Sequence, residues 1–165
     1  MKKMRKGFTL LELLVVIGVM GILGATGMIA GQEATNAARA TNIADGLEKA
    51  AAAMMMYYSD VASTVAISGT DSETVKKGAN AYLKSTSALV VTGDGDEAET
   101  GKYSVVVTAE DDPTAEWWVI YTLAEAEKNT IGAILENKAT NMNLASDTNG
   151  TAYVKGQTSV AMKVR

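Results

Sequence analysis

The sequence predicts an α+β protein: a long N-terminal α-helix packed on a small antiparallel β-sheet. Three observations lead there. Residues 8–31 are apolar apart from Thr9, Glu12 and Thr26. A helical spacing of apolar residues continues from there to Tyr57 and Tyr58, with no proline before Pro113. Runs rich in β-branched and aromatic residues, separated by turn residues, then fill much of the second half.

The apolar stretch 8–31 is long enough to cross a hydrocarbon core, which needs about 20 residues. Lys2, Lys3, Arg5 and Lys6 precede it and place the N-terminus on the cytoplasmic side. A cleaved secretory signal has a similar basic start. Here the run is longer than a usual signal core, carries an acid near its start and passes without a turn into a helical pattern. A signal anchor is therefore expected. Beyond it, Ile43, Leu47, Ala50, Met54 and Tyr57 or Tyr58 recur three or four residues apart, on one helix face. Together with the helix-favouring alanines, this predicts one helix over 8–58. Its first half would be membrane-embedded and its second half amphipathic, against a head formed by 59–165.

Within the head, residues 59–101 are rich in Ser, Thr, Gly and Asp and read as a loop region. A short helix in "SETVKKGANAYLK" would bury Val75, Ala79, Tyr82 and Leu83, with Ser72 as its cap. The segments 102–110 and 116–124 form a hairpin around the Asp111-Asp112-Pro113 turn. The segment 124–139 is ambiguous and could hold another helix. The final fifteen residues read as two short strands around Gly156, introduced by an Asn149-Gly150 turn.

Composition narrows the chemistry. The 165 residues contain no Cys and no His. Disulfides, thiolate metal sites and a Ser-His-Asp arrangement are excluded, and no nucleophile motif is recognisable, so an enzyme is not expected. After the first seven residues the chain holds eleven basic and nineteen acidic residues, a net charge of −8. Such an acidic body argues against nucleic acid as the main partner and favours solubility outside the cell.

The stretch "MKKMRKGFTLLELLVVIGVMGIL" resembles the N-terminus of a type IV prepilin: a short basic leader, Gly7, Phe8, and a glutamate four residues after Phe8 in an apolar helix. The resemblance covers about the first 30 residues. It implies a leader of residues 1–7, cleavage by a prepilin peptidase between Gly7 and Phe8, and methylation of the new Phe8 amine. It also implies that Glu12 of one subunit neutralises the Phe8 amine of a neighbour during assembly. The physics agrees, because opposite charges attract strongly in low dielectric while either alone carries a desolvation cost. The alternative is that Glu12 merely reaches the membrane interface. By the same resemblance the helices form a homo-oligomeric filament that heads tile on the outside. The peptidase, a membrane platform and an ATPase would be partners. The precursor would sit in the cytoplasmic membrane and the filament at the cell surface.

Ile29 stands where many members of that family have proline. The chain has instead Gly18, Gly21, Gly24, Gly27 and Gly31. These would supply either local stretching of the helix or close helix packing, Gly27 and Gly31 forming a GxxxG pair. Many pilins close the head with a disulfide; without Cys, this head must rely on packing or on a metal. Asp94, Asp96, Glu97 and Glu99 offer hard oxygen ligands that suit Ca²⁺, although such a run is also an ordinary solvated turn. No other cofactor is expected. Asn149-Gly150-Thr151 is a glycosylation sequon as well as a turn. Trp117 and Trp118 should face opposite sides of a strand, one into the core and the other toward the surface or a subunit contact. The Met54-Met55-Met56 run reads as core filler. Two other readings share much of this pattern: a pseudopilin of a type II secretion system, and a membrane-anchored extracellular binding domain that never polymerises.

Overall fold

The computed structural model describes residues 8–62, 72–83, 100–108 and 115–165. Its elements are α1 (Leu10–Ala62), α2 (Ser72–Tyr82), β1 (Tyr103–Thr108), β2 (Glu116–Thr122), α3 (Ile131–Met142), β3 (Leu144–Ala145) and β4 (Ser159–Lys163). The expected α+β class is observed. The chain divides into two compact units, Met1–Asn36 and Ala37–Arg165, each described by itself.

The second unit is the head. Its strands form one antiparallel sheet in the order β1-β2-β4-β3. The expected hairpin is present, pairing Tyr103 with Tyr121 and Val107 with Trp117. The Pro113 turn itself lies outside the described residues. Strand alternation sends Val105, Val107, Trp117, Val119, Tyr121 and Val160 to one face. There they share a core with Ile43, Leu47, Ala50 and Met54 of α1. The helix contributes mostly small residues: Ala40, Ala44, Ala50 and Ala53 are all buried. Alanines let the sheet's large rings fill the space between helix and sheet at normal interior density. Trp117 sits among them, stacked on Tyr57 at 6.2 Å and edge-on to Tyr58 at 5.3 Å. The Arg165 guanidinium lies over Tyr58 at 4.6 Å.

Two glycines are required by these contacts. Tyr103 crosses α1 at Gly46 and donates its hydroxyl to the carbonyls of Asn42 (3.3 Å) and Ile43 (3.2 Å). A Cβ on Gly46 would run into that hydroxyl and its ring. Gly78 of α2 likewise receives the ring of Tyr57. An Arg39–Glu127 ion pair joins α1 to the turn before α3.

Four expectations change. Tyr82 is exposed and donates to Asp60 at 2.8 Å instead of joining the buried face of α2, where Val75 and Ala79 lie. Met54 is buried, but Met55 and Met56 are exposed, because a helix turns successive residues away from any one face. Trp118 does not reach the surface. It is 3% exposed and forms a second small cluster with Ala145 and Ala161 on the far side of the sheet. Finally, the last fifteen residues give one strand, β4. The first of the two expected strands is reduced to a single bridge between Ala145 and Ala152. Tyr153 leaves the sheet there to pack on α3, its hydroxyl 2.8 Å from where a Cβ on Gly132 would lie.

Gly46→Ala gains about 1 kcal/mol of helix propensity but forces Tyr103 out of its buried site, an overpacking cost of about 1–3 kcal/mol. The variant is expected to melt below the wild-type chain in detergent, as followed by near-ultraviolet circular dichroism of the aromatic cluster. A higher melting temperature would contradict the close approach.

Candidate functional site

In the first unit the apolar side chains of α1 have no cover. Phe8 is 77% exposed and Leu10 82% exposed, and the residues from Leu11 to Met28 follow the same pattern. Among the described residues, α1 is the one helix long and apolar enough to cross a membrane. An apolar surface of this extent requires lipid or other helices around it. The hydroxyls inside it are satisfied locally: Thr26 donates to the Leu23 carbonyl at 3.0 Å. Added Cβ atoms at Gly18, Gly21, Gly24, Gly27 and Gly31 would meet nothing within 4 Å, so these glycines leave a smooth surface.

Glu12 is the single charged residue between Phe8 and Gln32, and its carboxylate has partners within its own chain. The Thr9 N–H donates to Glu12 Oε2 at 3.0 Å, and the Thr9 hydroxyl donates to the same oxygen at 2.9 Å. In return the Glu12 N–H donates to Thr9 Oγ1 at 3.3 Å. The Thr9 carbonyl accepts the first intrahelical bond, from the Leu13 N–H at 3.3 Å. This reciprocal arrangement is a capping box, in which Thr9 is the N-cap and Glu12 the third helical residue. The helix therefore begins at Leu10 instead of Phe8. The signal lies in the sequence as Thr-x-x-Glu before an apolar run.

Gly7 and the basic leader lie outside the described residues, as do Asp94, Asp96, Glu97 and Glu99. Among the described residues no cluster of carboxylates could hold a metal ion. Among the described residues the head carries surface grooves of about 420 and 430 Å³. One is lined by Arg39, Lys49, Tyr103 and Tyr121, the other by Trp118, Glu136, Asn143 and Tyr153, and neither contains Ser, Cys or His.

Asn149 is exposed in a turn before Gly150, which has φ +79° and so suits glycine. Asp147 holds this turn. Its Oδ1 accepts the N–H groups of Asn149 (3.0 Å) and Thr151 (3.1 Å), and its Oδ2 accepts the Thr151 hydroxyl at 2.9 Å. The Thr151 N–H and hydroxyl, then Asn149, hold the Asp147 carboxyl below the usual aspartate range.

The protein-family comparison matches residues 2–28 to the prokaryotic N-terminal methylation motif. That is the prepilin-type signature, and it supports the resemblance to type IV prepilins. With the apolar helix it fits a membrane-anchored precursor. No curated protein and no solved structure matches the chain.

Because the folded pKa of Asp147 is lowered, its contribution to stability is complete above the unfolded value near 4 and fades as pH falls below it. Asp147→Asn is expected to melt a few degrees lower at neutral pH, and the gap is expected to narrow as pH falls below the ordinary aspartate value of about 4. Parallel melting curves across that range would contradict the role given to this carboxylate.

Proposed function

We propose that the chain is the precursor of a structural subunit of a type IV pilus-like filament. One observation carries the reading: the N-terminal methylation motif at residues 2–28 coincides with an apolar helix whose side chains are uncovered. Cleavage falls between Gly7 and Phe8 and leaves a methylated Phe8 amine, one positive charge beside an apolar surface. Glu12 of another copy supplies the opposite charge. The pairing neutralises both groups where hydration is poorest, which gives assembly a register as well as a driving force. The precursor resides in the cytoplasmic membrane, with residues 8–31 in the bilayer. In the filament those segments exchange lipid for one another, and the acidic heads face outward.

The test is the intact mass of protein sheared from cells. A chain beginning at Phe8 with one added methyl group is expected. Recovery only from membranes, with Met1–Gly7 retained, would contradict the reading. Glu12→Ala is expected to be cleaved normally and to give at least tenfold fewer sheared filaments, roughly the scale of losing one charged partner. Normal filament yield would remove Glu12 from assembly.

A further inference from the structure

Glu12 uses only one of its two carboxylate oxygens within its own chain. Oε2 accepts both the N–H and the hydroxyl of Thr9, at 3.0 and 2.9 Å. Among the described residues no hydrogen bond reaches Oε1. Resting on the reading above, we propose that Thr9 is a positioning residue for assembly: it fixes Glu12 Oε2 in the helix cap and leaves Oε1 to receive the Phe8 ammonium of a second copy.

Three features carry this. First, the cap is insensitive to processing. The donated N–H belongs to the Phe8–Thr9 peptide bond, which a cut before Phe8 leaves intact. The same geometry therefore serves precursor and mature chain. Second, the cap and the intermolecular ion pair do not compete. A carboxylate has about four lone-pair sites, and the Thr9 bonds occupy those of Oε2. The incoming ammonium need not displace Thr9, so assembly does not leave the first turn of α1 with unpaired N–H groups in an apolar setting. Third, the two Thr9 bonds restrict a flexible side chain to one direction. A glutamate gives up substantial rotamer freedom when it is ordered. With Thr9 in place that ordering precedes the encounter between copies, and binding to an already ordered group is tighter. The hydroxyl of Thr9 is the decisive atom, since the backbone N–H would be present with any residue other than proline.

The experiment compares full-length chains carrying Thr9→Val, Thr9→Ser, Glu12→Gln, and Thr9→Val with Glu12→Gln, expressed in cells. Filament yield is counted per chain found cleaved by intact mass, so that any effect on the peptidase is divided out. Thr9→Val keeps shape and loses the hydroxyl. It is expected to lower yield about fivefold, the scale of one lost cap hydrogen bond. Thr9→Ser is expected to restore it. Glu12→Gln retains a capping side chain but loses the charge, and adding Thr9→Val to it should lower the yield no further, because Thr9 acts through that charge. Wild-type yield for Thr9→Val overturns the proposal. So does a Thr9→Ser chain as defective as Thr9→Val, or a double variant in which the two losses multiply. If instead Glu12→Gln assembles as well as wild type, the intermolecular ion pair fails and the role of Thr9 with it, while the filament reading stands; sheared fractions that hold no cleaved wild-type chain would overturn that reading.

Discussion

One carboxylate in an uncovered apolar helix is the constraint on which the N-terminal unit depends. Glu12 is too close to the helix start to be ignored by the backbone and too deep in apolar sequence to be left alone. Thr9 satisfies half of it by closing a capping box. Among the described residues the second oxygen of Glu12 accepts no hydrogen bond. A group satisfied in this partial way suits the proposed sequence of states, a single chain stable in lipid that later binds a cation on another copy. The rest of the segment is consistent with that demand. Its threonine at position 26 bonds its own backbone, and its glycines project nothing that would keep a neighbouring helix away.

The head has no cysteine and depends on a different economy of parts. Alanines on α1 lie against large rings from the sheet, and glycines stand at the two points where a tyrosine comes closest. Trp117 is the centre of this packing, and its indole Nε1 is buried without a hydrogen-bond partner among the described residues. Such an orphan donor costs stability, which the ring's contacts with Tyr57 and Tyr58 offset. The loop before β4 is held by Asp147, whose two oxygens take three donors from Asn149 and Thr151. On the far side of the sheet, Lys163 pairs with Glu116 and lies over Trp118 at 5.8 Å, closing the second cluster.

Long-period features of this fold were legible in the sequence. The helical spacing of Ile43, Leu47, Ala50 and Met54 and the hairpin of 102–110 with 116–124 both reflect burial patterns repeated over several residues, and repetition makes them robust. Features decided by a single contact were not legible. Alternation puts Trp117 and Trp118 on opposite faces but does not say what covers the second face; Ala145 and Ala161 cover Trp118 from distant positions. Tyr153 broke an expected strand because its ring found α3 beside Gly132, a contact no local pattern encodes. At the N-terminus, the charge of Glu12 was plain and its hydrogen bonds were not. The same four residues, Thr9 to Glu12, spell the helix start and carry the proposed assembly contact.

The proposed filament depends on Glu12 meeting the Phe8 amine of another chain. Solid-state nuclear magnetic resonance on filaments grown from a mixture of chains, some labelled only with ¹⁵N and others only with ¹³C, tests this directly. Magnetisation transfer from the Phe8 amine nitrogen to the Glu12 carboxyl carbon can then arise only between different copies. A clear Phe8–Glu12 cross-peak in the mixed filaments is the expected result. A cross-peak present in uniformly labelled filaments but absent from the mixed ones would place the pair within one chain and contradict the account.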